Sequence, residues 1–418
     1  MKFASAFLAV FVFVFDASAQ TPSDSVVIKD WCPWVLSLEF SPNSGELARF
    51  CFGYAVALYD TSSYRRARTF LTETEHTPEL REFAYSPDGT VIATVEGSYV
   101  RLWNAADPGK LIPKEASILV KEKSIWVVEE LYALDTPLRV LEAPPRGNDK
   151  MDVLGIAFSP DGKLLITTHR NDRLKVWNAS SWTMERELIC GTDQGLDASW
   201  TGFSPDGKLL ITIGPNGHVK VWNTSSWTVE GELIVTDSRL TAAAFAPDNR
   251  TVMIADANGV LHYWSLASKA EIETLRTLEG LRNGVSVSGL EFSPDGETLV
   301  ATTMLAARPI VIWNTTAWTA ETESGYNSAA FSKDGKLLAL GGRNHIKLIE
   351  PVSRKQIRDI ELPEMMRGEL RRNDENEPNE KEKIPCLVSV LAFSPDGNTL
   401  AAGCGYPEGT VRVVKVTP

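Results

Sequence analysis

The residues of this chain best suited to metal or nucleophilic chemistry are its five histidines and five cysteines, and their spacing supports neither. His76, His169, His218, His262 and His345 stand far apart, and none belongs to a short ligand motif such as H-E-x-x-H. Cys32, Cys51, Cys190, Cys386 and Cys404 match no zinc pattern. No Gly-x-Ser-x-Gly elbow, phosphate loop or dinucleotide fingerprint occurs where a strand would lead into a helix. Acidic residues are scattered along the turns, so no carboxylate pair stands out for acid–base work. Asn178, Asn223, Asn249 and Asn314 begin Asn-x-Ser/Thr triplets. Three of these fall in turns that want asparagine for geometry, which accounts for them without sugar.

The elements that position these residues are set by an internal repeat. Phe40-Ser-Pro-Asn-Ser-Gly45 recurs as Tyr85 to Gly89, Phe158 to Gly162, Phe203 to Gly207, Phe245 to Asn249, Phe292 to Gly296, Phe331 to Gly335 and Phe393 to Gly397. A second phrase follows each copy at a nearly constant distance, as in Leu174-Lys-Val-Trp-Asn178 and Val219-Lys-Val-Trp-Asn223. Short apolar runs lie between and after the two phrases, so each unit holds four strand-like runs parted by turn residues. Pro fixes φ, Asp caps the turn and Gly accepts positive φ. Such a four-stranded sheet is apolar on both faces and cannot stand alone. Stacking the sheets around an axis buries both faces, which is the propeller solution.

The repeat resembles that of the WD-repeat family. The resemblance rests on Phe-Ser-Pro-Asp-Gly and Lys-Val-Trp-Asn, and it covers nearly all of the chain after the leader. It implies an all-β propeller, with Trp103, Trp177, Trp222, Trp264 and Trp313 as core between blades. Three further tryptophans, Trp182, Trp227 and Trp318, are expected to flank the outer hairpins. The sequence also departs from the family. The Gly-His before the first strand is missing, Trp-Asn replaces Trp-Asp, and Asn171, Asn216 and Asn258 stand where the family has Asp. The hydrogen-bond network around the tryptophan is therefore expected to be rebuilt or incomplete.

Eight blades are expected, with seven and nine as alternatives because the interval from Tyr85 to Phe158 is long. The last unit stops after its third strand, and Ser25-Val-Val-Ile-Lys29 supplies a spare strand that closes the ring. Residues 105–150 read as an insertion plus the outer strand of blade 2. Residues 361–383, rich in charge, read as a solvated loop. Cys32 and Cys51 flank the first hairpin as Cys386 and Cys404 flank the last. They are either bridges beside the closure seam or buried free thiols, with Cys190 left over. His169, His218 and His345 fall in equivalent loops between strands and mark an interaction rim.

The chain has 418 residues, 43% of them hydrophobic, and a formal charge of −12, which disfavours nonspecific nucleic-acid binding. Residues 1–19 read as a secretory signal peptide: Lys2, an apolar run from Phe3 to Phe15, and Ala17-Ser18-Ala19 before the cut. Residues 20–418 then form one exported propeller, secreted or periplasmic, with no further membrane span. The expectation is a binding scaffold for protein partners, with no cofactor, metal or catalytic residue. The alternatives are a propeller enzyme (hydrolase or lyase) or a small-ligand sensor at the channel mouth.

Overall fold

Within one repeat, the Ser-Pro-Asp-Gly segment reverses the chain and the apolar runs pair across it. In blade 3, Val153–Phe158 pairs with Leu164–His169, that strand with Arg173–Asn178, and that with Met184–Ile189, all antiparallel. The Ser159 hydroxyl donates to Asp161 at 2.7 Å and accepts the Leu164 amide at 2.9 Å, while Gly162 takes φ 71°. The Ser159 hydroxyl, with Lys163, holds the Asp161 carboxyl down at about 2. Serine, aspartate and glycine thus each do one job in the turn.

The computed structural model describes residues 25–29, 32, 35–51, 55–71, 80–96, 99–105, 139–142, 153–169, 173–190, 200–214, 217–236, 238–268, 270–276, 287–303, 310–366, 383–405 and 409–416. Among them are eight four-stranded sheets and no helix. The inner strands are Val35–Phe40, Leu80–Tyr85, Val153–Phe158, Trp200–Phe203, Leu240–Phe245, Val287–Phe292, Tyr326–Phe331 and Val388–Phe393, in blades 1 to 8. Inner strands of most neighbouring blades lie side by side around the axis. Arg139–Glu142 is the outer strand of blade 2. The strand-like run at 124–129 lies outside the described residues.

The core is divided into eight buried clusters, one at each junction between blades. Each tryptophan of the second phrase faces the blade before it. Trp103 lies in the cluster of blades 1 and 2, Trp177 in that of 2 and 3, and Trp222 in that of 3 and 4. Trp264 and Trp313 fill the next two junctions.

The turns stack as well. A Cβ on Gly89 would lie 3.1 Å from Pro42, one on Gly207 3.3 Å from Pro160, and one on Gly335 3.4 Å from Pro294. The proline of one blade therefore covers the turn glycine of the next. Blade 7 has Lys333 in place of proline, and Gly397 of blade 8 has nothing within 4 Å of its Cβ position.

Ring closure is non-local. Ser25–Ile28 pairs antiparallel with Val411–Lys415, completing blade 8 as its outer strand. Cys32 is joined to Cys51 with the Cα atoms 5.8 Å apart, and Cys386 to Cys404 at 4.9 Å. Each bridge ties the first and second strands of a blade beside the seam. Cys190 is buried and belongs to neither bridge.

Candidate binding surfaces on the rim and in the channel

The connections between second and third strands share one rim with the connections that lead to the next blade. Asn344, at φ 61°, pins the two kinds together in blade 7. Its carbonyl accepts the Leu362 amide at 2.6 Å, its side-chain oxygen accepts the Cys386 amide at 2.7 Å, and its Nδ2 donates to Glu364 at 3.1 Å. From that root the chain leaves as a short ribbon, Met365–Met366 against Lys383–Ile384. Buried Arg412 donates to the Pro363 carbonyl at 3.0 Å and braces the stem. Residues 367–382 lie outside the described residues.

The three histidines expected on this rim do not act alike. His345 and His218 begin third strands and are half-buried, in blades 7 and 4. The His345 ring meets Tyr326 edge-on at 5.1 Å. His169 is a correction: it is 1% exposed, and its Nε2 lies 2.7 Å from the Thr167 hydroxyl. It belongs to the core because the strand that carries it continues past the expected loop. His262 is also buried, with Nδ1 2.8 Å from Glu271. His76 lies outside the described residues.

The channel holds groups that the sequence reading passed over. An inner strand is paired on one edge only, so the amides of its other edge need partners. Three glutamates supply them across junctions. Glu39 accepts from the Tyr85 amide, Glu82 from the Ile156 amide at 3.1 Å, and Glu291 from the Phe331 amide. Glu39 and Glu291 stand just before the turn phrase, where six other blades have Ala or Gly; that outlier was the available signal. Glu82 and Glu291 are exposed to water, and Glu39 is half-buried. The strands crowded around them strip part of their hydration, which raises all three carboxyls from 4.5 to about 7 against the lowering effect of the amides.

Their effect on stability has a definite sign. Between the unfolded and folded pKa values, the folded chain holds protons that the unfolded chain has released. Stability from these groups is therefore full below about 4.5 and lost as pH rises through about 7. The melting temperature should fall between about pH 5 and pH 8. In a chain carrying E39Q, E82Q and E291Q that slope should flatten, because glutamine keeps the acceptor and does not titrate. Equal slopes in the two proteins would mean that the glutamates do not control it.

Each channel carboxylate is thus engaged with a neighbouring backbone rather than with another acid or base. Among the described residues no group of three His, Cys, Asp or Glu is placed to hold a metal. The geometry is that of a self-bracing ring of blades. A family model described as WD domain, G-beta repeat matches residues 136–178 and 195–223. The chain is an eight-bladed β-propeller whose repeats are similar to the WD repeat. No curated protein matches it. Among solved structures, the C-terminal WD40 domain of Sif2 is similar at 15% identity and a TM-score of 0.62, covering 94% of this chain and 99% of that one. The computationally designed Ika8 protein is similar at 15% identity and 0.61, covering 92% and 96%. At that identity the likeness is one of fold.

A hydrogen-bond network around the tryptophans is present in part. Trp103, Trp177 and Trp222 donate to Thr94, Thr167 and Thr212 at 2.9–3.0 Å. In blade 5 the matching position is Ile254, and the Trp264 indole nitrogen has no partner among the described residues. The Trp-Asn departure also has a reason. Asn223 Oδ1 accepts the Ser225 and Ser226 amides, while its Nδ2 donates to Glu230 at 2.6 Å; Asn178 does the same with Glu185 at 2.9 Å. Aspartate has no donor for that glutamate.

These outer turns lie on the face opposite the rim, and they share a backbone feature. Four residues after Asp60, Asn178, Asn223, Asn314 and Glu350 come Tyr64, Trp182, Trp227, Trp318 and Arg354, all with φ between 50° and 60°. The aromatic rings among them wedge against the preceding blade. Trp318 meets Tyr263 of blade 5 at 4.8 Å, and Trp227 is buried among residues of blades 3 and 4.

Proposed function

We propose that this propeller is a non-catalytic binding protein that works outside the cytoplasm and presents its rim loops to a protein partner. The observation that carries the reading is the root of the insertion in blade 7. Asn344, Arg412 and the Met365–Met366 ribbon hold both ends of a long charged connection on one rim. A loop fixed so firmly at its base is a means of displaying residues to a partner. Export is supported by the leader-like residues 1–19 and by two cysteine pairs at disulfide distance, which persist in oxidising compartments.

The test compares two chains starting at residue 20 as baits in native extract. One is unaltered, and in the other a short Gly-Ser linker replaces residues 367–382. The expected result is a protein retained by the first and lost by the second, at the same melting temperature, since loop closure depends weakly on length. Identical retention by both baits, or turnover of a substrate by the purified chain with no protein retained, would overturn the reading.

A further inference from the structure

We infer that the groove between the outer turns of blades 6 and 7 is a binding site for an aromatic side chain of a protein partner. Five outer turns are described at the left-handed position, and four of them place an aromatic ring against the preceding blade. Blade 7 places Arg354 there instead, and the apolar cluster of blades 6 and 7 contains no residue of that turn. What remains is a groove of about 420 Å³. One wall is the blade 6 turn, with Asn314, Thr316 and Thr319, and the other is Val352 and Arg354.

The molecule itself shows what the site accepts. At the junction of blades 5 and 6, an indole from the same turn position packs 4.8 Å from a ring on the blade before it. At the junction of blades 3 and 4 it is nearly fully buried. The groove at blade 7 lacks that internal ring and offers other attractions in its place. Val352, 42% exposed, gives an apolar wall. The Arg354 guanidinium donates to the Pro351 carbonyl and lies 3.9 Å from Glu321; its side chain, 15% exposed, brings to that wall a planar cation of the kind that stacks on aromatic faces. The hydroxyls of Thr316 and Thr319 supply acceptors for an indole N–H. The ligand is therefore an exposed tryptophan or tyrosine of another protein.

This inference rests on reading the chain as a protein-binding propeller, but it concerns the face opposite the insertion and is tested separately. The probe is N-acetyl-5-fluorotryptophan amide, followed by fluorine NMR with the full chain. Saturable line broadening at millimolar concentration is expected, reversed by N-acetyl-tryptophan amide and not by N-acetyl-leucine amide. R354W installs the ring that the sibling turns carry and should weaken binding at least about tenfold with the melting temperature maintained. V352D alters an exposed side chain and should weaken it similarly; if R354W does not fold, V352D decides alone. No saturable broadening, or undiminished broadening in a folded variant, overturns the site. Loss of the rim partner with the Gly-Ser linker while the probe ignores the groove would leave the proposed function standing and remove only this inference.

Discussion

Replacing Trp103 by alanine should lower the stability of the fold by about 3–5 kcal/mol, measured by denaturant or thermal unfolding. The side chain is 1% exposed and stacks on Phe70 at 4.6 Å, also fully buried. Alanine would leave a cavity between blades 1 and 2 and would strip Thr94 of its donor. The same substitution to phenylalanine separates the two parts. Trp103→Phe keeps most of the packing and loses the hydrogen bond, whereas Trp264→Phe loses no bond to a described residue and should cost less. Unfolding unchanged by W103A would mean that this tryptophan does not hold the junction.

Starting the chain at residue 31 instead of residue 20 should open the ring. Blade 8 would be left with three strands, and Val411–Lys415 would become an edge. Val411, Val413 and Val414 are at most 2% exposed, and Ile28, which covers part of the seam, is 5% exposed. Loss of Ile28 alone removes about 1.5–3 kcal/mol of burial, and the bared edge invites pairing with other chains. The expected result is a lower melting temperature and concentration-dependent aggregation in light scattering. Moving residues 25–28 to follow Lys415 through a two-residue turn should restore both, because the same strand would then pair as a hairpin. A shortened chain that stays monodisperse and melts with the longer one would sink this account of closure.

The architecture was legible because it is written eight times. Phe158-Ser-Pro-Asp-Gly162 and Lys175-Val-Trp-Asn178 each carry a turn and a core position, and repetition separates both from chance. The spare strand at Ser25 was legible for the same reason: a unit lacking its fourth strand must find one. The binding surfaces were less legible because they depend on which side chains meet across junctions. His169 looked like a loop residue, and only the continued pairing of its strand with Arg173 takes it inside. Glu39 and Glu291 looked like two acids among many, since nothing local says that the next blade's amide lies in reach. Arg354 carries no local signal, because its meaning comes from the aromatic residues at the same place in the other turns.

The geometry of the seam also decides how the ring would respond to force. Ser25 pairs with Val414, near one end of the closing ladder, and Ile28 with Val411 at the other. The strands are antiparallel, so tension pulling Ser25 and Lys415 apart meets the ladder from one end and loads its bonds one after another. That is an unzipping geometry, weaker than shear, in which all the bonds would share the load. The two cysteine bridges lie inside blades 1 and 8 and neither crosses the seam. A pulled molecule should therefore part first at the seam, at low force, and then stop at hairpins locked by covalent bonds.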